Sequence, residues 1–196
     1  MTMYPNEEHP NEEQALKLLR DAGCTDSVVA HCVAVKNLAM ELYGKIRGGA
    51  TPCVNGGATP CVNGDIYLDR DLILAGALLH DIGRSVTHDI THAVEGVRIA
   101  QRLGLPRPII DIIQRHIGAG LTKEEAGALG LPPGDYIPLT REEKLVSYAD
   151  NLVSGTRVDS YELTVEKFGR ILGDGHPGIR RFIDMHEEIT SWLAGK

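Results

Sequence analysis

The sequence predicts an all-α protein of one domain, a helical bundle interrupted by a Gly/Pro-rich loop, and three observations predict it. Apolar residues recur at helical spacing along almost the whole chain, with no convincing alternating strand. Capping pairs open several of these stretches: Asn11 with Gln14, Thr122 with Glu125 and Thr140 with Glu143. The length of 196 residues suits a single domain, and 42% apolar with 24% charged residues marks a globular chain.

The first helix runs from an N-cap at Asn11 through Leu16, Leu18 and Leu19 to a stop at Gly23. A second starts near Thr25 or Asp26; His31, Val35, Leu38 and Leu42 share one stripe of it, so His31 is expected to look inward. Gly49 to Gly56 (GATPCVNG) is then repeated without change as Gly57 to Gly64. Its turn chemistry reads as a duplicated surface loop, an insertion over about 47–66, and two thiols fall short of a structural zinc site. A third helix, Asp69 to about Asp81, is apolar nearly all round and belongs in the centre. Helix four spans about Thr91 to Leu103; helix five starts at Pro106 and ends near His116. A short helix after Thr122 closes at Leu131-Pro-Pro-Gly, and the Thr140 cap opens the helix carrying Tyr148 to Asn151. Helices near Val165–Leu172 and Gly178–Leu193 complete the bundle.

The net charge of -7 and the scarcity of aromatic residues argue against an electrostatic or stacking grip on nucleic acid, so no stable nucleic-acid partner is expected. No apolar run approaches a membrane span and the start is acidic, which predicts a cytoplasmic protein without a membrane partner. Cys24, Cys32, Cys53 and Cys61 form no C-x-x-C pair; they read as reduced thiols, with Cys53 and Cys61 the open pair.

The chemistry lies in a set of histidines and aspartates. One His on an apolar face is ordinarily a hydrogen-bonded core residue. Here an inward His31 is followed by His80-Asp81 at a helix end, His88 and His92 around the next helix start, His116, and Asp150. Val146 and Val153 put Asp150 on a buried stripe, where a carboxylate without a cation is costly. Imidazole and carboxylate without thiolate suit iron, manganese, cobalt, nickel or zinc. So many ligands exceed the need of one ion, whereas two ions bridged by a carboxylate would suit phosphoester hydrolysis.

His31, His80-Asp81 and Asp150 resemble the H...HD...D signature of the HD superfamily of metal-dependent phosphohydrolases, and Ala75 to Arg84 (AGALLHDIGR) is similar to its HDIG form. The resemblance covers roughly Asp26 to Arg157. It implies an HD-type bundle over residues 25–160, with an N-terminal helix in 1–24 and C-terminal helices in 161–196 packed on the same domain. With His92 and His116 the set looks like the two-metal branch that includes bacterial symmetrical diadenosine tetraphosphate hydrolases and cyclic-dinucleotide phosphodiesterases. Asn151 stands where the former group has Lys, and small stand-alone archaeal HDIG proteins are a nearer likeness.

Carried over, the resemblance implies that His31, His80, Asp81 and Asp150 hold one divalent transition metal and that Asp81 bridges to a second on His92 and His116. Asp81 and Arg84 are then the catalytic candidates, and Arg84, His88 and Arg157 the substrate-binding ones. Lys144, six positions before Asp150, is off its helical face and is expected to be solvated. The implied reaction is hydrolysis of a small phosphorylated, nucleotide-like molecule by metal-activated hydroxide. Two alternatives accompany it, a mixed-valent di-iron oxygenase and a non-catalytic ligand-sensing module; homo-oligomer formation stays open.

Overall fold

A computed structural model describes residues 8–48 and 66–195. The repeated GATPCVNG segment, with Cys53 and Cys61, lies outside the described residues. The elements are α1 (Glu12–Asp21), α2 (Asp26–Gly48), α3 (Arg70–Leu79), a 3-10 turn (Ile82–Ser85), α4 (His92–Arg102), α5 (Arg107–Arg115), α6 (Lys123–Ala128), α7 (Arg141–Leu152), a small hairpin of β1 (Val153–Ser154) and β2 (Arg157–Val158), α8 (Tyr161–Leu172) and α9 (Pro177–Leu193).

α3 is the central element. Asp69 accepts from the backbone N–H groups of Asp71 and Leu72 and so starts the helix, and every residue from Leu72 to Leu79 is buried. α1, α2, α5 and α7 surround it. The amphipathic helices turn their apolar stripes inward: Val35, Leu38 and Leu42 on α2, Ile109, Ile110, Ile112 and Ile113 on α5, and Phe182, Met185, Ile189 and Trp192 on α9 all enter one core. α9 therefore joins the cluster formed by α2, α3 and α7. A satellite cluster of Ala126, Leu131 and Tyr136 sits under the α6 region, where Tyr136 Oη donates to Pro132 O at 3.0 Å.

One crossing sets the distance between the two halves of the later site. A Cβ on Gly83 would lie 1.8 Å from His92 O, and one on Gly96 would lie 2.6 Å from Ile113 Cγ2. The 3-10 turn after Asp81 thus rests directly on the backbone of α4, which a side chain at Gly83 would prevent, while Gly96 leaves room for Ile113 of α5.

The structure departs from the sequence reading in five places. α3 ends at Leu79, and the HDIG segment turns into a 3-10 turn, because His80 caps the helix and Asp81 leaves helical geometry at φ -99°, ψ 15°. A hairpin of two-residue strands pairs Val153 with Val158 and Ser154 with Arg157, too short to produce an alternating pattern. α8 begins at Tyr161 rather than near Val165, since Ser160 accepts from Leu163 N–H and adds a first turn without apolar spacing. Thr140 accepts from Glu143 N–H, but the Glu143 carboxylate turns to Arg115, at 2.9 Å, and to Leu139 N–H. Only half of that capping box forms. The Asn11 and Thr122 boxes are complete. Lys144 is also not freely solvated: its Nζ donates to both Glu188 oxygens at 2.8 and 2.7 Å. Cys24 and Cys32 are free thiols, and no described helix is long and apolar enough to cross a membrane.

Candidate metal centre

The site is assembled largely from helix ends. His80 is the C-cap of α3, His92 is the first residue of α4, and His116 is the C-cap of α5. Backbone carbonyls in the last turn of a helix lack intrahelical partners, and Asp89 O lies ahead of α4; each ring uses the carbonyl three residues back. His80 Nδ1 donates to Ala77 O at 2.8 Å, His92 Nδ1 to Asp89 O at 2.6 Å and His116 Nδ1 to Ile113 O at 2.8 Å. His31 lies within α2, where the carbonyls are already occupied. Its Nδ1 instead donates to Gly155 O of the hairpin, at 2.9 Å.

A carbonyl only accepts, so all four rings carry a proton on Nδ1, and Nε2 is the nitrogen each turns into the site; that of His31 is hydrogen-bonded to Asp150 Oδ1 at 3.0 Å. All four Nε2 atoms turn toward Asp81. His92 and His116 approach its Oδ1 at 3.2 and 3.4 Å. His31 and His80 lie 3.7 Å from its Oδ2, and 3.0 and 3.4 Å from Asp150 Oδ1. The two oxygens of Asp81 therefore face two triads, His31-His80-Asp81 and Asp81-His92-His116, whose ligand atoms lie within 4.8 Å of one another.

Burial makes this arrangement electrostatically demanding. His80 is fully buried, Asp81 2% exposed and His116 3% exposed. Burial alone would raise the Asp81 carboxyl, but His80, His116 and His92 outweigh it and hold Asp81 well below the usual carboxylate range. Asp150 is held low in the same way, burial being overcome by His80 and His31. Burial would lower His80, yet Asp150 and Asp81 push it up to about 9. His116 goes down, first through burial and then through His80 and His92, against the pull of Asp81.

Divalent metal ions fit these residues on two observations. His80 Nε2 and Asp81 Oδ1 are buried without a hydrogen-bond partner. His92 Nε2 and His116 Nε2 face each other at 3.0 Å, an approach that two lone pairs cannot hold without a cation or a proton between them. Hydrogen-bonded Nδ1 and a free Nε2 is the arrangement that orients metal-ligating imidazoles.

All six ligands expected from the sequence are brought together. Arg84 Nε donates to Asp81 Oδ2 at 2.5 Å, and its Nη1 reaches His88 O at 3.4 Å. Beside them opens a cavity of about 300 Å³, lined by Ser27, Val28, His31, Asp81, Arg84, His88 and Gly155. Arg157 is not among the lining residues; its guanidinium lies 2.9 Å from Asp159 Oδ1. Sequence reasoning missed Ser27, although its place four residues before His31, one turn along the same face, was a usable signal. It also missed Gly155, whose part is played by a backbone oxygen that no residue type announces. Asn151 has a defined place: its Nδ2 donates to Gly118 O at 2.8 Å, as Ser147 Oγ does at 2.7 Å, which ties the loop after His116 to the helix bearing Asp150.

A helical bundle that gathers four imidazoles around one shared buried carboxylate has the donor set of a metal-dependent enzyme. The chain belongs to the HD-domain family of metal-dependent phosphohydrolases, matching the HD domain model over residues 28–155. It is 44% identical over 181 residues to an uncharacterized protein of Methanocaldococcus jannaschii, covering 92% of this chain and 98% of that one. It is 38% identical over 182 residues to a tRNA (cytidine(56)-2'-O)-methyltransferase of Picrophilus torridus; the match covers 93% of this chain and only 47% of that relative. It is 32% identical over 113 residues to Ribonuclease Y of Acidothermus cellulolyticus, covering 53% of this chain and 22% of that enzyme.

Proposed function

We propose that this chain hydrolyses a phosphoester or phosphoanhydride of a small, nucleotide-like molecule with two divalent transition-metal ions. His31, His80, Asp81 and Asp150 would hold one ion and Asp81, His92 and His116 the other, with Asp81 as the bridge. The observation that carries this reading is the division of one buried carboxylate between two histidine pairs, each ring oriented through Nδ1 with Nε2 turned to the carboxylates. Bound there, the ions would supply Lewis acidity and a water acidic enough to attack phosphorus near neutral pH.

The remaining roles fall to side chains around the cavity. Arg84 stands with its side chain 31% exposed at the cavity edge and is the cation for a phosphate oxygen, while its bond to Oδ2 steadies Asp81. His88 faces the same space as a second substrate contact. The hydroxyl in the lining, Ser27 Oγ, pairs with Thr25 Oγ1 at 2.9 Å and not with an imidazole, so no base activates it and water is the nucleophile. Asp150 balances charge on the more open side of the site.

A second reading has the phosphoester belong to RNA, favoured by the relatives named as a tRNA methyltransferase and a ribonuclease and opposed by the net charge of -7. Metal content of anaerobically purified protein, beside the Asp81→Ala variant, tests the centre. Nearly two equivalents in the wild type, falling to one or none in the variant, are expected; one equivalent in both would overturn the bridge. A manganese-supported screen of nucleotides and short RNAs then separates the two substrates. Oxygen uptake that needs iron, without manganese-supported hydrolysis, would establish an oxygenase instead.

A further inference from the structure

Asp159 is a buried carboxylate with no part in the reaction above. Its side chain is 2% exposed, one residue past β2, and its backbone N–H donates to Leu152 O at 2.8 Å. Ser154 Oγ donates to its Oδ2 at 2.6 Å, Lys167 of α8 donates to the same oxygen, and Arg157 Nη2 lies 2.9 Å from its Oδ1. Lys167 also donates to Ser154 Oγ at 2.7 Å. These partners, Lys167 and Ser154 foremost, hold the Asp159 carboxyl down at about 2. Ser154 and Arg157 are the paired residues on either side of the Gly155-Thr156 turn. Asp159 therefore fastens both ends of that turn to α8.

The turn matters because of how the four rings differ. His80, His92 and His116 each find their Nδ1 acceptor three residues away, so their orientation comes with their own helix ends. His31 has its acceptor 124 residues away in sequence, on Gly155. Its side chain is also 17% exposed, against 0 to 7% for the other three, so less packing restrains the ring.

We propose that Asp159 is a positioning residue: by clamping the β1–β2 turn onto α8 it fixes the Gly155 carbonyl that keeps His31 in the Nδ1–H form with Nε2 aimed at Asp81 and Asp150. The inference rests on His31 being a metal ligand only for its consequence, not for the clamp itself. Loss of the clamp leaves His31 held only through Nε2, by Asp150 Oδ1 at 3.0 Å, so its proton moves toward Nε2 while the other three rings stay in place.

The test uses the chelator-treated full chain and long-range ¹⁵N–¹H NMR, which reads each tautomer without any metal. The wild type should show His31 carrying a proton on Nδ1. In Asp159→Ala the His31 pattern should become mixed, with those of His80, His92 and His116 unchanged. Zinc titration should then show one of two sites weakened by about 10 to 100-fold, the range for partners that orient a ligand. Asp159→Asn keeps an acceptor for Ser154 and should recover most of both signals; it and Ser154→Ala, which should give an intermediate His31 pattern, carry the test if Asp159→Ala does not fold. Folded variants that keep the wild-type His31 tautomer and both zinc affinities to within about twofold would overturn the proposal. A changed tautomer in a protein whose wild type binds no zinc would uphold the clamp and sink the metal reading.

Discussion

On the Oδ2 side of Asp81, His31 and His80 face a second carboxylate, Asp150; on the Oδ1 side, His92 and His116 face only each other. His80 and His116 are comparably buried, at 0% and 3%. Their proton affinities nevertheless move in opposite directions, His80 up to about 9 and His116 down. The number of carboxylates within reach, rather than burial, decides the sign. Without a metal the Oδ2 side keeps a proton on His80 to well above neutral pH. An ion bound on the Oδ2 side as proposed would have to displace that proton.

Removing Asp81 should erase the difference by emptying both sides. Partners that merely orient a ligand are worth about 10 to 100-fold in metal affinity or activity, so Asp81→Ala, which deletes the shared ligand, should lower hydrolysis by more than about 100-fold. Metal analysis of the same preparation should show both equivalents reduced. Asp150→Asn should remove the Oδ2-side ion alone, and loss of both ions there would mean that the two sides fill only together.

Gly83→Ala should break the contact that sets the spacing between the sides. Its Cβ would stand 1.8 Å from His92 O and 2.5 Å from Gly96 N, backbone atoms that cannot rotate away. α4 would have to retreat from the 3-10 turn, at about 3 kcal/mol or more given the usual cost of overpacking. Urea unfolding measures that loss. Because His92 travels with α4, the Oδ1-side metal should weaken more than its neighbour in any fraction that remains folded.

The contrast between the sides was only half legible in the sequence. Helix periodicity, the Asn11 and Thr122 caps and the inward placement of His31 and Asp150 were readable because side-chain pattern encodes them directly. The paired Nε2 atoms, the division of Asp81 and the self-orientation of three rings at helix ends depend on where helices stop, and α3 ends earlier than its apolar run indicates. The hairpin was invisible because two strands of two residues carry no period and its working atom is a carbonyl oxygen. Arg84 was legible as a cation near the site; its bond to Asp81 Oδ2 was not, since both residues lie in a turn whose geometry the motif does not spell out.

The opposed proton affinities predict a stability optimum for the metal-free protein. His80 titrates near 9 in the folded chain against an ordinary value of 6.5, so its contribution is full below about pH 6.5 and is lost as the pH rises through 9. The ceiling on that loss is on the order of 3 kcal/mol. His116 is lowered, so its contribution is full above its ordinary value of 6.5 and declines as the pH falls below it. Chelated protein should therefore be most stable near the ordinary imidazole value, with a decline on each side. Urea midpoints from pH 5 to 10 measure the curve. Asp150→Asn should flatten the alkaline limb, because His80 loses the carboxylate that raises it most, and His116→Gln should flatten the acid limb. A curve of unchanged shape in both variants would place the controlling groups elsewhere.

The smallest expected effect sharpens the border of the Oδ2 side. Arg157 was expected from the sequence to bind substrate, and its guanidinium is held on Asp159 with the side chain 72% exposed. With the arginine this exposed, its ion pair is worth about 0.2 to 1 kcal/mol. Asp159 keeps Lys167 and Ser154 as partners when Arg157 is removed, so the turn and the Gly155 carbonyl should hold their places. Arg157→Ala should then shift stability by no more than that amount and leave KM for the hydrolysed phosphoester close to wild type. If Arg157 leaves Asp159 to meet a phosphate, KM should instead rise by about tenfold or more, the usual scale for a lost charge-assisted hydrogen bond. kcat should then change little. Arg84→Ala offers the contrast, since that guanidinium touches both the cavity and Asp81: it should lower kcat as well as raise KM, and the two arginines thereby mark where the reacting side of the cavity ends.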